Sequence, residues 1–205
     1  MKITDIKVTV WEWKDIPPTR YTLNVKSSGS STHMALVRIM TDESIEGHAF
    51  LGNALSSLGN DASTIIERFK PMLVGQDPLD REKIFQRMTN WAMGPILRVI
   101  GAIDVALWDL AGKAAGVPIH KLMGSYRSSV PAYASSAVFE HTEEYAEEAV
   151  RYKEAGWSAY KIHPPAIAAW DIKICEAVRK AVGDDYRIML DSTWSYDYPL
   201  SLIHI

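Results

Sequence analysis

Hydrophobic and polar residues along the chain change their period, and the changes divide it into regions. Near the N-terminus Ile6, Val8 and Val10 alternate with polar or charged neighbours, the two-residue period of a half-buried strand. A polar segment from Lys14 to Thr32, with Pro17-Pro18 and "SSGSS", reads as a loop. "HMALVRIMTDESIEGHAF" then reads as two strands around a turn at Asp42-Glu43-Ser44. Together these predict a small antiparallel meander carrying loops near residues 15–32 and 48–53.

Helical spacing follows. From Asp61 to Leu73, the residues Ile65, Ile66, Phe69, Met72 and Leu73 recur along one face. "GQDPLDREKIFQRM" restarts a helix after Pro78, with acidic residues in its first turn, where the helix dipole favours them. In "VIGAIDVALWDLAGKAAG" a stripe is formed by Val99, Ile103, Ala106, Leu107, Leu110 and Ala114. Gly101, Ala102, Ala111 and Ala115 are small enough for close packing, and Gly116 before Val117-Pro118 marks the stop.

Beyond Gly124 strands and helices alternate. "SVPAYASS", "WSAYKIH" and "YRIMLDS" are candidate strands, separated by helices over His141–Ala155 and Asp171–Val182. The first helix turns Tyr145, Ala149 and Tyr152 to one face, and the second Ile174, Cys175, Val178 and Ala181. Such alternation predicts parallel βα units. Three strands cannot close a barrel, so the pattern breaks off early.

Composition narrows the function. The chain has 205 residues, 47% of them hydrophobic and 23% charged, as in ordinary globular proteins. A net charge of −3 leaves no footprint for nucleic acid, and no polybasic run suggests a membrane surface. Cys175 is the lone cysteine, so no internal disulfide demands an oxidising compartment. No apolar run approaches transmembrane length and no signal-peptide core is visible. A cytoplasmic protein acting on a small molecule is the expectation.

In α/β architectures the carboxyl ends of parallel strands face the active site. Here those ends carry Ser135-Ser136, then Lys161 with His163, then Asp191. Lys161 and His163, two positions apart on a strand, face the same side. Asp191 suits a hard cation such as Mg²⁺, or it caps a helix beginning near Trp194. A cation beside Lys161 and His163 would lower both pKa values and make a general base available. Alternatively Lys161 is a surface lysine and His163 holds the turn before Pro164. A Schiff base on Lys161, which needs no metal, also remains open. His33, His48, His120 and His141 lack partners at metal-ligand spacing.

The stretch "AIDVALWDLAGKAAGVPIHKLMG" resembles the signature of the mandelate racemase/muconate lactonizing subgroup of the enolase superfamily. The matching positions are Ala102, Asp104, Ala106, Asp109, Gly112-Lys113, Pro118, Leu122 and Gly124. The resemblance extends from Met1 to about Pro199. It implies an α+β capping domain over residues 1–125, an antiparallel meander plus helices. It implies the first three βα units of an incomplete α/β TIM barrel over residues 126–199. Residues 200–205, "LSLIHI", break the pattern and are expected to be a non-native tail, the chain being the N-terminal part of a longer protein.

By the same resemblance Lys161 stands near the substrate carboxylate and tunes its neighbour, and His163 occupies the base position. That pattern departs from the commoner Lys-x-Lys. Asp191 matches the first of three Mg²⁺-binding carboxylates. Thr193 stands where many members place a substrate-contacting asparagine. Ser135 and His48 are further substrate-binding candidates, His48 through a capping loop. The implied chemistry is abstraction of the proton α to a carboxylate, with acid-sugar dehydration foremost. Racemisation, epimerisation or cycloisomerisation is the alternative within that chemistry, and a non-catalytic protein retaining the fold is the alternative outside it. A homo-oligomer acting on a small carboxylate, without nucleic acid or membrane, completes the expectation. The chain by itself is expected to be inactive and aggregation-prone, because one carboxylate cannot hold Mg²⁺ in a dedicated site and an open sheet leaves an edge uncovered.

Overall fold

In a computed structural model the residues described are 1–16, 20, 23, 31–53, 58–90, 97–193 and 195–199. The expected tail at 200–205 and most of the expected loop at 15–32 lie outside them. The chain divides into two compact units, Met1–Ile16 with Gly29–Ser128, and Pro17–Ser28 with Ser129–Ile205. The second unit therefore takes up a segment from the expected N-terminal loop. Its described member Arg20 accepts a hydrogen bond at its carbonyl from Val138 N, 2.9 Å away.

The first unit opens with an antiparallel sheet in the order β1-β2-β3, formed by β1 (Ile3–Lys14), β2 (Ser31–Thr41) and β3 (Glu46–Leu51). The inward row alternates as expected: Ala35, Val37 and Ile39 on β2 are buried, facing Ala49 and Leu51 of β3. On β1 the alternation outlasts the core. Ile6 is buried, Val8 half-buried and Val10 46% exposed, since among the described residues the core reaches Ile6 and Val8 but not Val10. The turn between β2 and β3 falls at the expected residues. Thr41 Oγ1 donates to Ile45 O at 2.8 Å across it, and Ser44 adopts φ +59°. His48 does not belong to a loop. It sits inside β3 opposite Arg38, because the β2 ladder continues through it to Leu51.

The helix expected over Asp61–Leu73 is interrupted. α1 (Asp61–Thr64) passes into a π-helical turn, Ile65–Phe69, before α2 (Lys70–Leu73). Pro71 is the physical reason. It has no N–H to give the carbonyl four residues back, and its ring clashes with that carbonyl. A widened turn, in which Lys70 N donates to Ile65 O, accommodates it. α3 (Arg81–Thr89) then follows Asp80, and α4 (Leu97–Ala115) crosses the sheet.

α4 buries Val99, Ile100, Ile103, Ala106, Leu107 and Leu110, each large aliphatic contributing roughly 1.5–3 kcal/mol as an upper estimate. The close approach is made differently from the expectation. Of the four small residues expected to pack, Ala102 and Ala111 are buried whereas Gly101 and Ala115 are exposed, as is Ala114 of the stripe. The contact lies at Gly47 of β3, where a Cβ would overlap the carbonyl of Ala106 and come within 2.8 Å of Leu110 Cβ. A short turn, α5 (Ile119–Leu122), closes the unit.

The second unit is a parallel sheet in the order β4-β5-β6, with β4 (Ala134–Ser135), β5 (Ala159–Ile162) and β6 (Arg187–Leu190). The helices α6 (Thr142–Glu154) and α7 (Ala168–Val182) connect them. The arrangement is consistent with a partial TIM barrel. β4 is much shorter than the eight apolar and small residues from Ser129 suggest, and Pro131 within that stretch cannot donate to a ladder. α7 starts earlier than Asp171, since Asp171 Oδ1 accepts from Ile167 N at 3.2 Å and satisfies one of the helix's orphan donors. Tyr145, Ala149, Tyr160, Ile162, Ile174, Val178 and Val182 form the core. Cys175 is half-buried, and burial pushes its thiol pKa up.

Candidate active site

Parallel pairing sets the site. Ser135 pairs with Lys161, which pairs with Met189, so the three strand ends finish level with one another. Asp191 N donates to Ile162 O at 2.9 Å, extending the ladder one step beyond β6. Lys161 Nζ lies 2.7 Å from Asp191 Oδ2, and His163 Nε2 lies 3.4 Å from the same oxygen. Ser135 Oγ is 3.3 Å from His163 Nδ1. Ser135, Lys161, His163 and Asp191 are thus brought together.

The carboxylate of Asp191 raises the Lys161 pKa, and the ammonium in turn lowers that of Asp191. This direction is that of the pair by itself, set by the anion at 2.7 Å; the lowering expected of Lys161 is the effect of a cation bound beside it. An ammonium so held lacks the free lone pair that a Schiff base requires. Tyr133 flanks it, with its ring centre 5.5 Å from Nζ.

Asp191 also serves its own loop. Oδ1 accepts from Thr193 N at 3.1 Å, an Asx-turn that leaves Oδ2 for Lys161 and His163. Thr193 adopts φ +50°, a strained conformation for a β-branched residue. Trp194, where a capped helix was expected to begin, lies outside the described residues.

His48 belongs to the first unit. Its backbone N donates to Asp109 Oδ2 at 2.8 Å, and Lys113 Nζ lies 2.9 Å from its Nδ1. Lys113 also donates to Asp109 Oδ2 at 2.6 Å and to Glu46 O at 2.8 Å. This network fastens β3 to α4 and uses two positions of the motif, Asp109 and Lys113.

Pattern reading missed the residues behind His163. The phenol of Tyr145, assigned above only to a helix face, donates to His163 O at 3.1 Å and accepts from Phe139 N at 2.9 Å. Burial pushes its pKa up to about 12. A buried tyrosine hydroxyl needs a partner, and that need was the available signal.

As for a metal, the oxygen chemistry of Asp191 fits one ligand position on Mg²⁺. Among the described residues no cluster of three or more His, Cys, Asp or Glu side chains could hold an ion. The donor set in hand is thus partial.

Comparison with known proteins bears on the whole chain. Residues 4–124 match the family model "Mandelate racemase / muconate lactonizing enzyme, N-terminal domain". The chain belongs to this family of the enolase superfamily. Residues 144–203 further match "Enolase C-terminal domain-like". A relative, the L-talarate/galactarate dehydratase of Salmonella typhimurium, is 36% identical over 134 residues, 61% of this chain and 33% of its own length. The N-succinyl-L-Arg/Lys racemase of Bacillus cereus is 31% identical over 177 residues, 82% of this chain and 47% of its own. A dipeptide epimerase from Enterococcus faecalis, solved with Mg and a dipeptide, superposes with a TM-score of 0.86 at 26% identity, over 99% of this chain and 57% of that one. Family relatives are enzymes, among them sugar-acid dehydratases, racemases, epimerases and cycloisomerases. The chain spans about a third to a half of the length of these curated relatives.

Among the described residues no helix is long and apolar enough to cross a membrane.

Proposed function

We propose that this chain carries part of the active site of a Mg²⁺-dependent enzyme that removes the proton α to a carboxylate, with sugar-acid dehydration as its reaction. The observation that carries the reading is the convergence of Lys161 and His163 on one oxygen of Asp191, at 2.7 and 3.4 Å. A proton α to a carboxylate is weakly acidic, so its removal requires charge placed in advance where the enediolate develops. Lys161, kept as an ammonium by its carboxylate neighbour, would hold the substrate carboxylate. His163 would take the proton at Nε2, and Ser135, beside the ring, would contact the substrate. Asp191 would hold one position on Mg²⁺, which when bound supplies positive charge to the enediolate oxygens. The relatives named as sugar-acid dehydratases support dehydration as the outcome.

A second reading, racemisation or epimerisation, is favoured by the match to the N-succinyl-L-Arg/Lys racemase over 82% of this chain. Both readings begin with the same proton abstraction. Incubating the full gene product with a panel of sugar acids and N-acylated amino acids in D₂O separates them. Water loss with formation of a keto product supports dehydration, whereas α-deuteration with inversion and no water loss supports racemisation. The absence of both reactions, with Mg²⁺ supplied, would overturn the reading. A homo-oligomer in the cytoplasm goes with this proposal, the former on the family resemblance and the latter on the lone Cys175.

A further inference from the structure

One residue, Ser136, grips His163 by both its backbone and its ring. The Ser136 hydroxyl accepts from His163 N at 2.8 Å, and the Ser136 carbonyl oxygen lies 2.7 Å from Nδ1. A carbonyl can only accept, so the hydrogen-bond network assigns the proton to Nδ1 and, in the neutral ring, leaves the lone pair on Nε2. Ser135 Oγ, at 3.3 Å from Nδ1, is a second and longer contact. The competing tautomer would carry its proton on Nε2 and donate to Asp191 Oδ2. That contact is 3.4 Å long, and its oxygen is already engaged by Lys161 at 2.7 Å.

Ser136 is itself fixed from behind. It is 1% exposed, and its N donates to Lys161 O at 2.9 Å. On the neighbouring strand β5 the phenol of Tyr160 donates to Glu148 Oε2 at 2.7 Å. Burial, with Glu148 beside it, keeps the Tyr160 phenol protonated well beyond its ordinary range. From the other side Tyr145 holds His163 O at 3.1 Å.

We propose that Ser136 is the positioning residue that sets the tautomer of His163. Its carbonyl keeps the proton on Nδ1, and its hydroxyl, accepting from His163 N, holds the backbone so that Nε2 presents a lone pair. The catalytic meaning rests on His163 being the base, whereas the tautomer depends only on packing within this unit.

¹⁵N NMR of the histidine-labelled full gene product in mildly alkaline buffer reads the tautomer directly, with the His163 signals identified by their loss in His163→Asn. The expected result is a protonated, pyrrole-like Nδ1 and an unprotonated, pyridine-like Nε2. Ser136→Ala keeps the carbonyl that binds Nδ1 and removes only the hydroxyl that holds His163 N, so the ratio should shift toward the Nε2-protonated form by less than the about fivefold of one whole hydrogen bond, and Ser136→Thr should restore it. A protonated Nε2 in the unaltered chain overturns the proposal even if Ser136→Ala does not fold. A folded Ser136→Ala with an unchanged ratio overturns it as well. The base reading fails separately, if His163→Asn in the full gene product keeps α-proton exchange whatever the tautomer.

Discussion

The ammonium of Lys161 and the carboxylate of Asp191 meet at 2.7 Å across the ends of neighbouring parallel strands. Their mutual effect fixes a pH window. Asp191 is held below its ordinary 3.8, so its contribution to stability is present above that value and lost as pH falls through the lower folded pKa. Lys161 is held above 10.5, so its contribution is present below that value and lost as pH rises through the folded pKa. Both side chains are partly exposed, which limits the pair to about 1 kcal/mol. Urea unfolding of the wild type and Lys161→Met should differ at neutral pH, with the difference shrinking below pH 3.8 and above pH 10.5. A difference that stays constant across pH would contradict the pairing.

Gly47→Ala places a methyl against the Ala106 carbonyl and Leu110 of α4. Neither backbone can move cheaply, so the substitution should destabilise the first unit by about 1–3 kcal/mol. The denaturant midpoint measures this, and an unchanged midpoint would mean that α4 packs less closely than described.

Asp109→Asn weakens two bonds at once, to His48 N and to Lys113 Nζ. Exposure of the lysine reduces the effect, and a loss of about 1 kcal/mol is expected. Amide exchange at His48 should accelerate in the same variant. Unaltered exchange there would show that the motif's aspartate does not fasten β3.

Tyr145→Phe strips a buried donor from His163 O and a buried acceptor from Phe139 N. A cost of about 1–3 kcal/mol follows from leaving such groups unpaired. Faster amide exchange at Phe139 should accompany it, and wild-type stability in this variant would contradict the bond pattern.

What could be read before any coordinates was whatever local pattern controls. The alternation through Ala35, Val37 and Ile39 and the stripe from Val99 to Leu110 both matched the buried faces found. Pattern failed where a distant contact decides. Val10 keeps the alternation of a half-buried strand, yet it is exposed because the core ends before it. The π turn at Ile65–Phe69 was signalled by Pro71 but masked by a continuous apolar period. The small residue that matters for α4 is Gly47, on a strand far away in sequence.

The site shows the same division. Strand-end logic singled out Ser135, Lys161, His163 and Asp191, and the parallel register brings them within contact of one another. Nothing local announced that Tyr145 and the Tyr160–Glu148 pair stand behind them, since these look like ordinary helix and strand positions until the chain is folded. His48 stood where the expected second strand of the pair and the expected loop at 48–53 overlap, and the β2 ladder holds it in the strand.

The central claim is that His163 removes a proton α to a carboxylate beside Lys161 and Asp191. Solvent-deuterium exchange at that carbon, followed by proton NMR in the Mg²⁺-supplemented full gene product with a reactive sugar acid, tests it most directly. Exchange or turnover should fall by about 10²–10⁴-fold in His163→Asn, the usual contribution of a general base, and should cease on treatment with EDTA. A His163→Asn protein that exchanges at the wild-type rate would contradict the account.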